Sequence, residues 1–582
     1  MRMKFLTWQL KEQIKKIAAQ EEYLEKFNYH KPFKVAFLYP NVYEVGMSNL
    51  GLHILYTLLN REPQIACERV FLPDRKIISE YQKTKSSIYS IETQKRLQEF
   101  DIIGVSMSFE ADYFNLLTML SLSKIKLRAQ ERGEQDPFIL VGGPCATFNP
   151  EPLAVVADAF IIGEGEVTLI KAVNCLLAAE HLTRSAKLSL LAQIPGVYVP
   201  SLRNKINQGE QSTGEKSIQA VRISRQIVTD LANYPNHSII ITQQTEFAKM
   251  LIVEISRGCG RHCRFCMAGY AFRYPRHRSL EQVQKAINDY GDRAEKIGLM
   301  GPAVSDYPDI LPLAEYILNK NLNFSVASLR ADSLTPQLVD HLAQSGQRTL
   351  TIAPEAGSQR LRDIINKGIT ETDIYSSIKL LALAKIPNLK LYLMLGLPLE
   401  TMEDIEELII MVKNLRQEMN AVQAYGNLIL SINTFIPKPA TPFQWQPLAS
   451  KREIENKLKL INNALKPIRG VIINVESYKE SVVQAILARG DRQVGEYLLQ
   501  AHELGGSKYF LQVVKAATYD LQKQLYTIKD FAESLPWDNL DMGFSKDYLK
   551  QEFERAKSGK FTIPCLAKCR RCGVCKDGSE VQ

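Results

Sequence analysis

VEISRGCGRHCRFCMAG (253–269) sets three cysteines within eight residues, with the spacing C-x3-C-x2-C across Cys259, Cys263 and Cys266. The stretch continues an apolar run, LIVEIS (251–256), that breaks into a loop rich in glycine and arginine. A short apolar run ending at glycine reads as a buried strand, so the loop opens at a strand's carboxyl end. Parallel α/β folds place their chemistry there. Iron–sulfur cubanes normally take four thiolates. Three on one loop hold three irons and leave the fourth open, as catalysis at a metal requires. Arg257, Arg261 and Arg264 add positive charge that favours thiolates and an anionic cluster. Gly258 and Gly260 allow close backbone approach. The competing assignment is a structural zinc site with His262 or His277 as fourth ligand, although zinc more often uses two C-x2-C knuckles.

Downstream of the loop, IGLM (297–300), FSVA (324–327), LTIA (350–353), LKLYLML (389–395) and LILSI (428–432) read as further strands. Helices with start signals separate them. Ser279 with Gln282 has the form of a capping box, and Thr335 precedes Pro336 at a first-turn position. With the first strand this makes six β/α units, so a partial (β/α)6 TIM-like barrel is expected over 249–470. Upstream, FKVAFLY (33–39), DIIGVSM (101–107), FILVGG (138–143) and DAFIIG (158–163) alternate with helical patterns. They predict an α/β, doubly wound Rossmann-type domain at 31–190, binding ligands at the carboxyl ends of its strands. Residues 1–30 carry an amphipathic helix. Residues 191–248 read as a connector, with a polar surface loop at 201–217 and strands near 219–226. From 471 to 582 the pattern is mainly helical and ends in a cysteine-rich tail at 565–575.

A chain of 582 residues with 45% hydrophobic and 23% charged residues is a multidomain globular protein. Its net charge of +9 permits a nucleic-acid partner without demanding one. No apolar run reaches the length of a membrane span, and the N-terminus is too polar for a secretory signal, so a cytoplasmic location is expected. Of ten cysteines, three lie at 259–266 and four at 565–575, leaving only Cys67, Cys145 and Cys175 scattered. Such clustering suits metals rather than disulfides. PCLAKCRRCGVCK (564–576) carries Cys565, Cys569, Cys572 and Cys575, a full thiolate set for a second [4Fe–4S] cluster or for zinc.

The first cysteine loop, with Phe265 before its last cysteine, resembles the radical S-adenosylmethionine (SAM) superfamily. The resemblance implies that SAM chelates the open iron. One-electron reduction then cleaves it to a 5′-deoxyadenosyl radical that abstracts hydrogen from a substrate. TIAPEAGSQRLR (351–362) and YLMLGLPLET (392–401) resemble the fourth- and fifth-strand segments of that superfamily. By that resemblance Glu355, Ser358 and Arg360 contact SAM, and Leu395 and Gly396 pass close to its adenine. MGPAVSDYP (300–308) lacks the Gly-Gly-Glu run common after the second strand.

VGGPCATFNPEPLAVVADAFIIGEGE (141–166) resembles cobalamin-binding domains fused ahead of such cores. Gly142, Gly143, Gly163 and Gly165 would lie against the corrin, and PNVYEVGMSNLGL (40–52) supplies a loop at the same sheet edge. No Asp-x-His-x-x-Gly motif is present, so histidine ligation of cobalt is not expected. FIPKPATPFQW (435–445) resembles the strip that closes the radical core in enzymes with an N-terminal cobalamin-like domain, and the segments 475–506 and 535–556 with the cysteine tail resemble a bacterial radical SAM family of that architecture, associated with a "radical SAM-linked" partner domain. That resemblance implies a [4Fe–4S] cluster, SAM and cobalamin as cofactors. It also implies a reducing partner such as a flavodoxin or ferredoxin. The expected reaction is methylation of an unactivated position on an RNA, protein or small-molecule substrate. A cobalamin-independent radical oxidation, cyclisation or rearrangement is the alternative enzyme, and an iron–sulfur redox sensor the non-catalytic one.

Overall fold

A computed structural model describes residues 2–207, 222–245, 247–517, 519–565 and 569–575. Most of the loop expected at 201–217 lies outside them. The chain divides into two compact units. One comprises Met1–Met250, Ile486–Tyr519 and Ser534–Met542; the other comprises Leu251–Ala485, Asp520–Glu533 and Gly543–Gln582. No described helix is long and apolar enough to cross a membrane.

The first unit is built on a six-stranded sheet. Its strands are β1 (Phe33–Tyr39), β2 (Ile65–Phe71), β3 (Ile102–Ser106), β4 (Phe138–Gly142), β5 (Ala159–Ile161) and β6 (Val197–Tyr198). The order is β2-β1-β3-β4-β5-β6, parallel except for the β5–β6 pair. This is a flavodoxin-like order whose switch point lies between β1 and β3.

β2 was not legible in the sequence. IACERVF carries Glu68 and Arg69 yet is buried along its whole length. The charges survive burial because they are paired. Arg69 is held by Glu21 and Glu92 at 2.7 Å each, and Glu68 accepts from Ser90 and Thr93. A strand stabilised by partners 22 to 48 residues away gives no local signal.

The C-terminal region, expected as one helical block from 471, is shared between the two units. Helix Arg492–Glu503 belongs to the first, where Glu496 pairs with Arg128 and Arg492 with Glu151. Asn149 donates to Ala488 O and Gly490 O.

The second unit holds the other α/β series. A three-stranded sheet runs β7 (Met250–Glu254), β8 (Lys296–Met300) and β9 (Asn323–Ser325). A four-stranded sheet follows: β10 (Thr349–Glu355), β11 (Asn388–Leu395), β12 (Leu428–Thr434) and β13 (Val471–Val475). A parallel bridge from Leu329 to Ile352 links the two sheets. β13 pairs in parallel with β12, so the barrel-like series has one strand beyond the six expected and runs past residue 470. VIINV is half-exposed at the sheet edge, and its apolar run lacks the buried signature of the others. Both predicted helix starts are present. Ser279 and Gln282 exchange side-chain bonds with each other's backbone N–H, and Thr335 accepts from Leu338 N–H ahead of Pro336.

Candidate functional site: two cysteine clusters on one scaffold

The C-x3-C-x2-C loop leaves the carboxyl end of β7 and is closed by a small hairpin, Ser256–Arg257 against Arg276–His277. Gly258 adopts φ +77°, and a Cβ there would lie 2.1 Å from Phe272 O. Only glycine lets the loop cross its own return at that distance. Cys266 N–H then donates to Cys263 O at 3.0 Å, and Arg261 N–H points at Cys259 Sγ at 3.4 Å. Burial and the neighbouring Cys263 and Cys266 thiols push Cys259 up to about 12. Burial and Cys263 raise Cys266 as well. Thiols that crowd in this way gain from a cation that replaces their protons.

The three arginines that sequence reading assigned to the cluster's charge have other partners. Arg257 pairs with Glu254, and Arg261 pairs with Asp306 at 2.8 Å and with Asp332. Arg264 is fully buried. Its guanidinium caps the end of helix α1 (Gln359–Ile364) through Asp363 O and Ile364 O, and it also meets Glu552 and Lys560 O. Lys367, a residue that sequence reading missed, carries a charge that reaches the Cys263 and Cys266 thiols, as that of Arg261 reaches Cys259. It bonds Glu355 at 3.0 Å, and its Nζ lies 5.7 Å from the centre of the Phe265 ring. Burial opposes its charge, but Glu355 and Cys263 outweigh burial and raise its pKa. Lys367 thus ties Phe265 and Glu355 to the cysteine loop. Glu355 ends β10 at φ +66° beside a register shift.

The other residues expected at SAM lie at the ends of β10 and β11. Ser358 is buried, caps α1 by accepting from Leu361 N–H, and donates to Asp404. Arg360 pairs with the same Asp404 and with Leu399 O. Leu395 is buried on β11, and the Gly396 and Leu397 N–H groups donate to Glu400. A Cβ on Gly396 would lie 2.6 Å from that of Ala449. Beneath these strand ends Leu361, Ile364, Leu397, Phe435 and Phe553 form one apolar cluster, with Phe265 packed against it.

The first of the four tail cysteines comes to the same loop. Cys565 N–H donates to Gly260 O at 2.8 Å, and Cys565 Sγ lies 3.5 Å from His262 Nε2. Buried Asn366 clamps the junction: it donates to His262 O and Thr562 O and accepts from Thr562 N–H. His262 Nδ1 meets Tyr548 OH at 2.8 Å, and burial with nearby Arg273 holds the imidazole down at about 2. Neither His262 nor His277 faces the first three thiols as a zinc ligand would. The His277 Nδ1 atom is buried without a partner, and its ring sits 5.9 Å from that of Tyr307. Among the described residues, no three His, Cys, Asp or Glu groups converge on one point as ligands of a single ion.

In the first unit, the glycines expected at the corrin lie close to other protein atoms. A Cβ on Gly143 would lie 2.6 Å from Met107 O, and one on Gly163 would lie 2.2 Å from Gln226 O. Gly142 faces Ile161 and Gly165 faces Leu55. Polar side chains gather at the β1/β3 switch point. Asn41 and Asn115 donate to Asp112 at 2.9 and 3.0 Å, and Asn49 reaches Ser108 at 3.4 Å. Burial outweighs those donors and lifts Asp112 to about 6.

A three-thiol loop at the head of a parallel barrel series, preceded by a doubly wound domain, defines the class of protein. Residues 253–412 match the model of the radical SAM superfamily, and residues 51–200 match that of radical SAM proteins, N-terminal. The uncharacterized protein MJ0966 of Methanocaldococcus jannaschii is 31% identical over 470 residues, spanning 80% of this chain and 90% of that one. The chain belongs to the radical SAM superfamily. An uncharacterized methyltransferase of Pyrococcus horikoshii, PH0819, is 23% identical over 54% of this chain and 64% of its own. Among solved structures, the cobalamin-dependent S-adenosylmethionine radical enzyme OxsB, with aqua-cobalamin and S-adenosylmethionine bound, aligns at 15% identity and a TM-score of 0.49. That alignment covers 91% of this chain and 79% of OxsB.

Proposed function

We propose that this radical SAM enzyme reductively cleaves SAM at a [4Fe–4S] cluster held by Cys259, Cys263 and Cys266, and that it methylates an unactivated carbon with the help of cobalamin. The observation that carries the reading is the grouping of those three thiols with the buried Lys367–Glu355 pair at the end of β10. When bound, the cluster and SAM together supply a 5′-deoxyadenosyl radical. The protein's own part is orientation and exclusion of water. Glu355 offers a carboxylate to the amino group of SAM, Lys367 holds that carboxylate in place, and the apolar cluster under Phe265 keeps the strand ends dry.

Cobalamin would be held at the switch point of the first unit by Asn41, Asn49, Ser108 and Asp112, where doubly wound folds bind ligands. The name of the Pyrococcus relative supports methyl transfer. Radical oxidation or rearrangement without a corrin is the competing chemistry. Protein purified without oxygen and given cobalamin, SAM and reductant should retain corrin, form 5′-deoxyadenosine and, with substrate, accumulate S-adenosylhomocysteine. An intact cluster that yields neither bound corrin nor 5′-deoxyadenosine would defeat the proposal.

A further inference from the structure

The tail cysteines form a complete thiolate set of their own. These cysteines lie far from Cys259, Cys263 and Cys266 in the chain, yet the two sets share a backbone junction. Cys565 bonds the residue that follows ligand Cys259, and its sulfur touches the residue that precedes ligand Cys263. The Cβ position built on Gly260 lies 3.4 Å from Cys565 Cβ. With the fixed spacing of adjacent Cα atoms, Cys259 Cα and Cys565 Cβ are then at most about 9 Å apart.

We infer that Cys565, Cys569, Cys572 and Cys575 hold a second [4Fe–4S] cluster that passes single electrons to the SAM cluster. Three features support a redox role over a structural knot. The junction is rigid and dry: Asn366 and Thr562 are buried there, and Arg264 ties Lys560 O to the end of α1. The imidazole of His262 bridges Cys565 to the loop, with Nε2 at 3.5 Å from Cys565 Sγ and Nδ1 at 2.8 Å from Tyr548 OH. Arg571 donates to Cys569 Sγ at 3.2 Å while gripping Ile563 O and Pro564 O. A charged donor on a ligand sulfur is one of the means by which proteins set a cluster's potential. Arg570 and Arg571 are exposed beside that sulfur, which suits an acidic one-electron carrier protein of the ferredoxin or flavodoxin class.

The step moves one electron and no atoms. The reduced carrier gives one electron to the tail cluster, and the tail cluster gives one to the SAM cluster, each centre returning to its oxidised state as the next is reduced. The inference rests on the proposed radical chemistry at Cys259, Cys263 and Cys266, so its test must fail separately from that reading.

The experiment compares the full chain, reconstituted anaerobically, with the triple variants C259A/C263A/C266A and C569A/C572A/C575A. Wild type should bind about eight irons and each variant about four, one cubane per intact site. The first variant should keep a reduced-cluster paramagnetic signal and cleave no SAM. The second should retain most cleavage with dithionite and lose at least tenfold with reduced ferredoxin. Reduced wild type should show magnetic broadening from two neighbouring clusters, which tests the arrangement even if the tail variant misfolds. Zinc in the tail, unchanged ferredoxin-driven turnover, or two reduced clusters without spin interaction would each overturn the inference. If both clusters assemble and interact but dithionite drives no SAM cleavage, the proposed function fails while the tail cluster stands.

Discussion

Replacing Asn366 with alanine should detach the tail from the radical loop. The side chain is 3% exposed and makes three bonds: to His262 O at 3.2 Å, to Thr562 O at 3.0 Å and from Thr562 N–H at 2.7 Å. Alanine leaves two buried carbonyls and one buried N–H short of partners. Among the described residues, a long bond from Tyr270 OH, at 3.5 Å, is what remains to His262 O. At about 1 kcal/mol net for each bond the loss is about 3 kcal/mol, and more if water cannot enter. Asn366 also sits at φ +54°, a region that asparagine tolerates and alanine enters at a further cost of about 1 kcal/mol. Asn366→Gly removes that backbone cost and keeps the lost bonds, so it should recover about 1 kcal/mol of the deficit. The assay is hydrogen exchange at the Thr562 and Cys565 amides, read beside thermal unfolding. Both amides bond across the junction and should lose protection together. The argument fails if Asn366→Ala costs under about 1 kcal/mol and both amides stay protected.

Three further outcomes are expected. Gly258→Ala, with its Cβ 2.1 Å from Phe272 O, should prevent the loop from closing and abolish iron binding at Cys259, Cys263 and Cys266; full iron occupancy in that variant would contradict the geometry. Glu552→Ala strands the buried Arg264 guanidinium and should cost about 3–5 kcal/mol in unfolding experiments, whereas a joint Arg264→Met/Glu552→Leu change should cost less. Asp112 has its folded pKa raised to about 6, so its contribution to stability is fully present below about 4 and is lost as the pH rises through 6. Asp112→Asn should therefore gain on wild type in melting temperature between pH 4 and pH 8, and a pH-independent difference would show that the carboxyl is not strained.

The C-x3-C-x2-C spacing identified the radical loop because adjacent thiols, glycines and a preceding strand are local features. The strands of both α/β series were legible for the same reason where they were apolar throughout. β2 was not, since its Arg69 depends on Glu21 and Glu92. Without β2 the strand order, and with it the switch point at β1 and β3, could not be read, although the loop at 40–52 was placed at that sheet edge. Lys367 and Asn366 were equally silent, because an Asn-Lys pair after a short helix carries no pattern.

What the sequence determined by itself was chemistry: which residues can bind iron, and that two complete or near-complete thiolate sets exist. What only the tertiary structure decided was company. Arginines next to the cysteines in the chain turned to Glu254, Asp306 and Glu552, and Cys565, some 300 residues away, settled against Gly260 and His262. Ligand spacing is a property of a few bonded residues. Pairing of buried charges and orphan carbonyls is settled by whatever the folded chain brings within hydrogen-bonding distance.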